Sequence, residues 1–170
     1  MSSSSLAKFV DAVSPARESG SSWQALENLA KAEVGHRLFT VTLVDKAAAL
    51  AGRACSNHPA KYPVSGTKRT PRDARFDIVH GEKRSFVANS IEDIAEVFPD
   101  DALIVPPGCG SVINLPAVLE DYLVATINLL DAAGHHTPQR VALAQVELAI
   151  PARVCCSLAF RFDAKRGGPG

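Results

Sequence analysis

Two apolar runs, SVINLPAVL (residues 111–119) and YLVATINLLD (residues 122–131), are separated only by a tight turn at Glu120–Tyr122. So short a link joins antiparallel neighbours, because a parallel crossover needs a dozen or more residues. A third strand is written into HRLFTVTLVD, where Leu38, Thr40, Thr42 and Val44 alternate with Phe39, Val41 and Leu43. AAALAGRACSN returns antiparallel to it. Helices flank these strands. In SSWQALENLAKAEVG, Ser21 or Ser22 caps a helix whose Trp23, Leu26, Leu29, Ala30 and Val34 share one face, with Gly35 as its stop. Thr137 and Pro138 open a second helix in TPQRVALAQVELAI, and PARVCCSLAFRF continues it past Pro151. The pattern predicts an α+β domain, with helices on one face of an antiparallel sheet and a loop-covered pocket on the other.

The middle of the chain is less regular. Residues 57–72 are rich in Pro, Gly, Ser and Lys, and Pro63 and Pro71 exclude a central strand, so this is a long surface loop. RDARFDIVHGEK reads as a short helix and SFVAN as a short strand. SIEDIAEVF reads as a helix capped by Ser90, with Asp93 completing the capping pattern and Pro99 closing it. The polar start around Ser2–Ser5 and the terminal KRGGPG bury little, giving a flexible segment over residues 1–20, a domain over 21–163 and a flexible tail over 164–170.

Composition narrows the function. The 170 residues are 46% hydrophobic, enough for one domain with a real core. Lys and Arg total 18, as do Asp and Glu, so no charge footprint points to nucleic acid or to an anionic membrane. The start lacks the basic end and apolar core of a signal peptide, and no run reaches the ~20 apolar residues of a membrane span, which together predict a cytoplasmic protein. The four cysteines, Cys55, Cys109, Cys155 and Cys156, form no CxxC pair and have no zinc-finger spacing, so free thiols and no structural metal are expected. No cofactor is indicated.

The segments WQALENLAKAEVGHRLFTVTLVD, YPVSGTK, IEDIAEVFPD and GCGSVINLPAVL with ATINLLDAAGHHTP resemble a stand-alone bacterial GAF-domain protein, over about residues 22–150. That resemblance implies a concave sheet, which in GAF domains takes ligands as different as cyclic nucleotides, bilins, haem, amino acids and aromatic acids. One GAF family, free methionine-(R)-sulfoxide reductase, is an enzyme built on three cysteines. Matching RACSNHPAKYPVSG to its motif places Cys55 on the first cysteine, Ser65 on the second and Val105 on the catalytic one. A Ser and a Val supply neither an attacking thiolate nor a resolving thiol, so the resemblance argues against that activity. The Asn-Lys-Phe-Asp-Glu pattern of cyclic-nucleotide sites is also absent.

Cys109 sits between two glycines in VPPGCGSVINLP. Two readings stand: a nucleophile in a loop whose backbone N–H groups face an anion, and a small buried residue at a turn. His58, His80, His135 and His136 are candidate bases, the last two in a polar loop where they should be solvated. The candidate ligand-binding set is Arg53, His58, Tyr62, Ser65, Lys68, Cys109 and Ser111, because a long loop inside a compact domain is a common place for binding residues. Phe39, Val41 and Leu43 either floor a pocket or are plain core, and Cys155 and Cys156 suit packing or a subunit contact. Two functions follow. One is a binding module for a small anionic or aromatic metabolite, working as a homodimer through its terminal helices. The other is a small cysteine-dependent hydrolase, isomerase or reductase using Cys109, an option raised by the lack of an output domain in these residues.

Overall fold

The computed structural model describes residues 3–45, 47–64, 66–70, 74–97 and 106–166. Among these described residues all strand pairs are antiparallel, in one six-stranded sheet of order β3-β2-β1-β6-β5-β4. The strands are β1 (Leu38–Asp45), β2 (Leu50–Ser56), β3 (Lys68–Arg69), β4 (Phe86–Ala88), β5 (Ser111–Leu119) and β6 (Tyr122–Asp131). The helices are α1 (Ser3–Val13), α2 (Ser19–Glu33), α3 (Ala74–Phe76), α4 (Ile91–Val97), α5 (Pro138–Glu147) and α6 (Ala149–Arg166), and α3 runs into a π-helical turn over Asp77–Gly81.

Period two splits the central strands into two faces. Phe39 and Val41 of β1, Ile113 and Leu115 of β5 and Ile127 and Leu129 of β6 pack with Trp23, Leu26 and Leu29 of α2 and with Leu148, Ala152 and Cys155 of the C-terminal helices. Phe39 and Val41 are core against the helices, and Leu43, half-buried on the same face, borders an open hollow of about 330 Å³ beside Phe160. The N- and C-terminal helices lie together there, the Cys155 thiol reaching the Ser22 carbonyl at 3.3 Å. The opposite face gathers Leu38, Val112, Leu123 and Leu130 under Val79 of the π-helical turn and Ile94 of α4.

Several local expectations match the structure. Thr137 Oγ1 accepts from the Arg140 N–H at 3.3 Å, and Ser90 Oγ accepts from the Asp93 N–H at 3.1 Å. Gly35 takes a φ of 81° to end α2. Three expectations are corrected. Residues 3–13, read as part of a flexible lead, form α1, because Phe9 inserts into the helix-side core at 5% exposure. The last helix is two helices bent by 43°, with the break at Leu148. Pro151 explains it: proline has no N–H and fits only in a helix's first turn, so α6 must restart just before it. His135 and His136 are not solvated: the His136 residue is fully buried and the His135 side chain is 17% exposed. Pro99 and residues 167–170 lie outside the described residues. No single described helix is long and apolar enough to cross a membrane.

Candidate functional site

The second sheet face is polar at its centre. Strand register sets Thr40, Asn128 and Asn114 in one row across β1, β6 and β5, with Thr42 opposite Thr126 in the next row. The row is wired together. Asn114 Nδ2 donates to Asn128 Oδ1 at 2.6 Å, and Asn128 Nδ2 donates to Thr40 Oγ1 at 3.1 Å and Thr42 Oγ1 at 3.3 Å. A cavity of about 110 Å³ opens over it, lined by Thr42, Asn114, Thr126 and Asn128 from the sheet and by Arg75 and His80 from the cover. A second cavity of about 340 Å³ adjoins it through Val44, Thr70 and His80, and adds the apolar Phe76 and Leu123. His80 stacks on the Phe76 ring, with centroids 4.3 Å apart and planes 16° from parallel.

Except for His80, named above as a candidate base, these residues were missed in the sequence, which drew attention to the 57–69 loop. Their signal was the other half of the alternation: Thr and Asn at every second position of central strands that are otherwise apolar.

Of the residues expected to bind, Arg53, Tyr62 and Cys109 come together. Arg53, opposite Thr42 on β2, places its guanidinium carbon 5.8 Å from the Tyr62 ring centroid and donates from Nη1 to the Pro63 carbonyl at 3.1 Å. Tyr62 packs on the second-face core. Its hydroxyl pKa is raised by burial and then by the Cys109 sulfur, with Arg53 opposing. His58 lies elsewhere, its Nε2 donating to the Arg37 carbonyl at 3.2 Å. Lys68 is exposed on the edge strand β3, opposite Ala51. Ser111 is fully buried, with Oγ 2.8 Å from the Ala132 carbonyl and 2.9 Å from His136 Nδ1. Ser65 and Val105 lie outside the described residues.

Cys109 is buried, and both neighbouring N–H groups are already used. Its own N–H bonds the Pro106 carbonyl at 3.0 Å and that of Gly110 bonds the Asp131 carbonyl at 2.8 Å. Burial raises the thiol pKa, the Asp131 carboxylate adds to the rise and Arg37 opposes it. Arg37 clamps this loop, with Nη1 donating to the Gly108 carbonyl at 3.0 Å and Nε 3.2 Å from Asp131 Oδ1. Cys55 packs against the core on the other side of the sheet from the cluster holding Cys109. Burial, then Glu27, pushes its thiol up to about 11. All four cysteines are free. Among the described residues no group of His, Cys, Asp and Glu is placed to hold a metal ion.

No family model matches the chain and no curated protein matches it in sequence. Solved structures match it in shape. The GAF domain of a phosphoenolpyruvate-protein phosphotransferase from Coxiella burnetii superposes with a TM-score of 0.68 at 10% identity, over 96% of this chain and 95% of that one. The corresponding Acinetobacter domain gives 0.67 at 9% identity, over 100% and 99%. Free methionine-R-sulfoxide reductase from Neisseria meningitidis, solved with its substrate, gives 0.53 at 12% identity, over 96% and 89%. Sheet order, helix placement and these superpositions together give the chain the GAF-domain fold.

Proposed function

We propose that this protein is a small-molecule-binding module whose ligand occupies the paired cavities on the second face of the sheet. The observation that carries this reading is the Thr40–Asn128–Asn114 row beneath a cavity. A sheet face kept only for packing would be apolar throughout, as the helix-covered face is, because burying polar groups earns little stability and risks unmet hydrogen bonds. Asn114, Asn128, Thr42 and Thr126 are the inner contacts in this reading. The Phe76–His80 pair suits a flat aromatic body and Arg75 any negative charge the ligand carries. Arg53 and Tyr62 tie down the 57–64 loop beside the site without lining either cavity. Binding is preferred over Cys109 catalysis, because the thiol is held neutral and the N–H groups beside it are engaged.

Mass spectrometry of the purified protein under native conditions, read for retained small molecules, tests the site. The wild-type chain should carry a ligand that Thr126→Trp, which fills the inner cavity, excludes while circular dichroism stays unchanged. A ligand retained equally by that variant would overturn the placement. We further propose a homodimer through the terminal helices, where Leu6, Val10, Ile150, Val154 and Phe160 are exposed. Light scattering at micromolar concentration should give twice the chain mass, and a monomer refutes it.

A further inference from the structure

Three hydrogen bonds tie the turn after β6 to the junction between β4 and α4. Asn89 Oδ1 accepts from the His136 N–H at 3.1 Å, Asn89 Nδ2 donates to the His136 carbonyl, and the Asn89 carbonyl accepts from the Gly134 N–H at 2.8 Å. The helix that follows Asn89 has little other hold on the sheet. Of residues 91–96 only Ile94 is buried, at 1% exposure in the second-face cluster with Leu38, Val112 and Leu130. A helix of seven residues is too short to persist by itself. The place of α4 therefore depends on one apolar anchor and on the Asn89 clamp.

The clamp closes on a histidine that cannot be charged where it sits. His136 is fully buried, its Nδ1 lies 2.9 Å from Ser111 Oγ and its Nε2 has no partner. An imidazolium carries two N–H donors, so one of them would be unmet in the interior. The charges around the ring do not compensate. His135 stands edge-on with ring centroids 5.1 Å apart, and Arg140 of α5 adds positive charge. Asp131 of β6 favours the charged form, but that carboxylate is shared with Arg37 at 3.2 Å and His135 at 3.6 Å. Ser111 of β5 and Asn89 bring no charge. To hold a proton the ring must reach water, which lifts the 132–137 turn and breaks its bonds to Asn89. We infer that His136 is an acid-operated latch: its protonation frees Asn89, and α4 then leaves the second face of the sheet, drawing Ile94 out of its cluster.

The sign and size of the effect follow from linkage. Burial, then His135, holds the closed histidine down at about 4, against an ordinary value of 6.5 once the turn is lifted. The closed form is therefore favoured above 6.5, and the open population should rise about fourfold at pH 6 and about thirtyfold at pH 5, relative to pH 7.5.

Hydrogen exchange of the full chain, read by mass spectrometry and corrected for the intrinsic rate at each pH, tests this. Peptides covering 89–97 and 132–137 should show these rises together, and at every pH they should be less protected than β1 and β6. His136→Gln, which takes up no proton, should flatten both. Protection equal to that of β1 and β6 would mean that the two segments open only with the whole fold, which overturns the latch. A rise in 132–137 without 89–97, no rise in either, or a rise kept in His136→Gln overturns it as well. Should that variant not fold, the comparison of segments in the wild-type chain decides.

Discussion

Asn128→Leu tests whether the polar row is a wired pair or a set of independent polar groups. The Asn128 side chain makes hydrogen bonds of 2.6, 3.1 and 3.3 Å, and losing it leaves the donating Asn114 Nδ2 with no acceptor in a residue 3% exposed. An orphaned buried group costs about 1–3 kcal/mol, so the single variant should lose about 2 kcal/mol. Asn114→Leu leaves Asn128 Oδ1 orphaned instead and should cost about as much, less whatever is regained by removing the unpaired Asn114 Oδ1. The double variant removes both partners at once. It should cost well under the sum of the singles, because replacing a buried polar pair by apolar groups of similar shape is close to neutral. Urea unfolding read by tryptophan fluorescence supplies the numbers, and about 2 kcal/mol corresponds to a melting shift of roughly 4–8 °C for a domain of this size. Additive costs in the double variant would refute the pairing. A double variant as stable as the wild type yet empty of ligand would mean that the row is kept for binding rather than for the fold.

Two further outcomes follow from the titrating groups. Burial first, then the neighbouring His135, holds His136 down at about 4, so the unfolded chain takes up this proton at a higher pH than the native one does. Its contribution is complete above the ordinary histidine value of 6.5 and fades as pH falls toward 4, by up to about 3 kcal/mol. The urea midpoint should be lower at pH 5 than at pH 7, and less so in His136→Gln; equal wild-type midpoints would refute this. Among the thiols, Cys155 and Cys156 are pushed up to about 12 by burial, whereas the rise at Cys109 is opposed by Arg37. Iodoacetamide should therefore label Cys109 before either helix cysteine, as read by peptide mass spectrometry, and the reverse order would refute the comparison.

Periodicity made the sheet legible. The alternation in residues 38–44, 111–119 and 122–131 places β1, β5 and β6, and the tight turn between the last two pairs them. The first helix was hidden by its serines, although Leu6, Phe9, Val10 and Val13 already had helical spacing. The candidate site was hidden for a different reason. Its threonines and asparagines come from three strands that lie as many as 88 positions apart in sequence, as Thr40 and Asn128 do. Only the register of β1 on β6 and β6 on β5 turns them into a row. Of the two readings of the apolar half, pocket floor or plain core, the core one describes Phe39 and Val41, because that half is what the helices cover.

The glycines around Cys109 show how a reactive-looking motif arises from packing alone. Gly108 takes a φ of 83°, which strains any side chain, and a β-carbon there would lie 2.2 Å from Arg37 Nη1, so a substitution would also push aside the arginine that ties this loop to Asp131. At Gly110 a β-carbon would lie 2.9 Å from that of Ala133, where the chain leaves β6. Gly108 is thus favoured by its left-handed backbone and Gly110 by the close approach of the turn after β6, whatever residue stands between them. The thiol fills a small buried space beside Leu38, Val112 and Leu130, and the hydrogen bonds that close the loop use the N–H groups an oxyanion would need. Unmet polar demand does not single the loop out either, since buried atoms without a partner are found at His36 Nδ1, Arg53 Nε and His136 Nε2 as well as at Asn114 Oδ1 in the polar row.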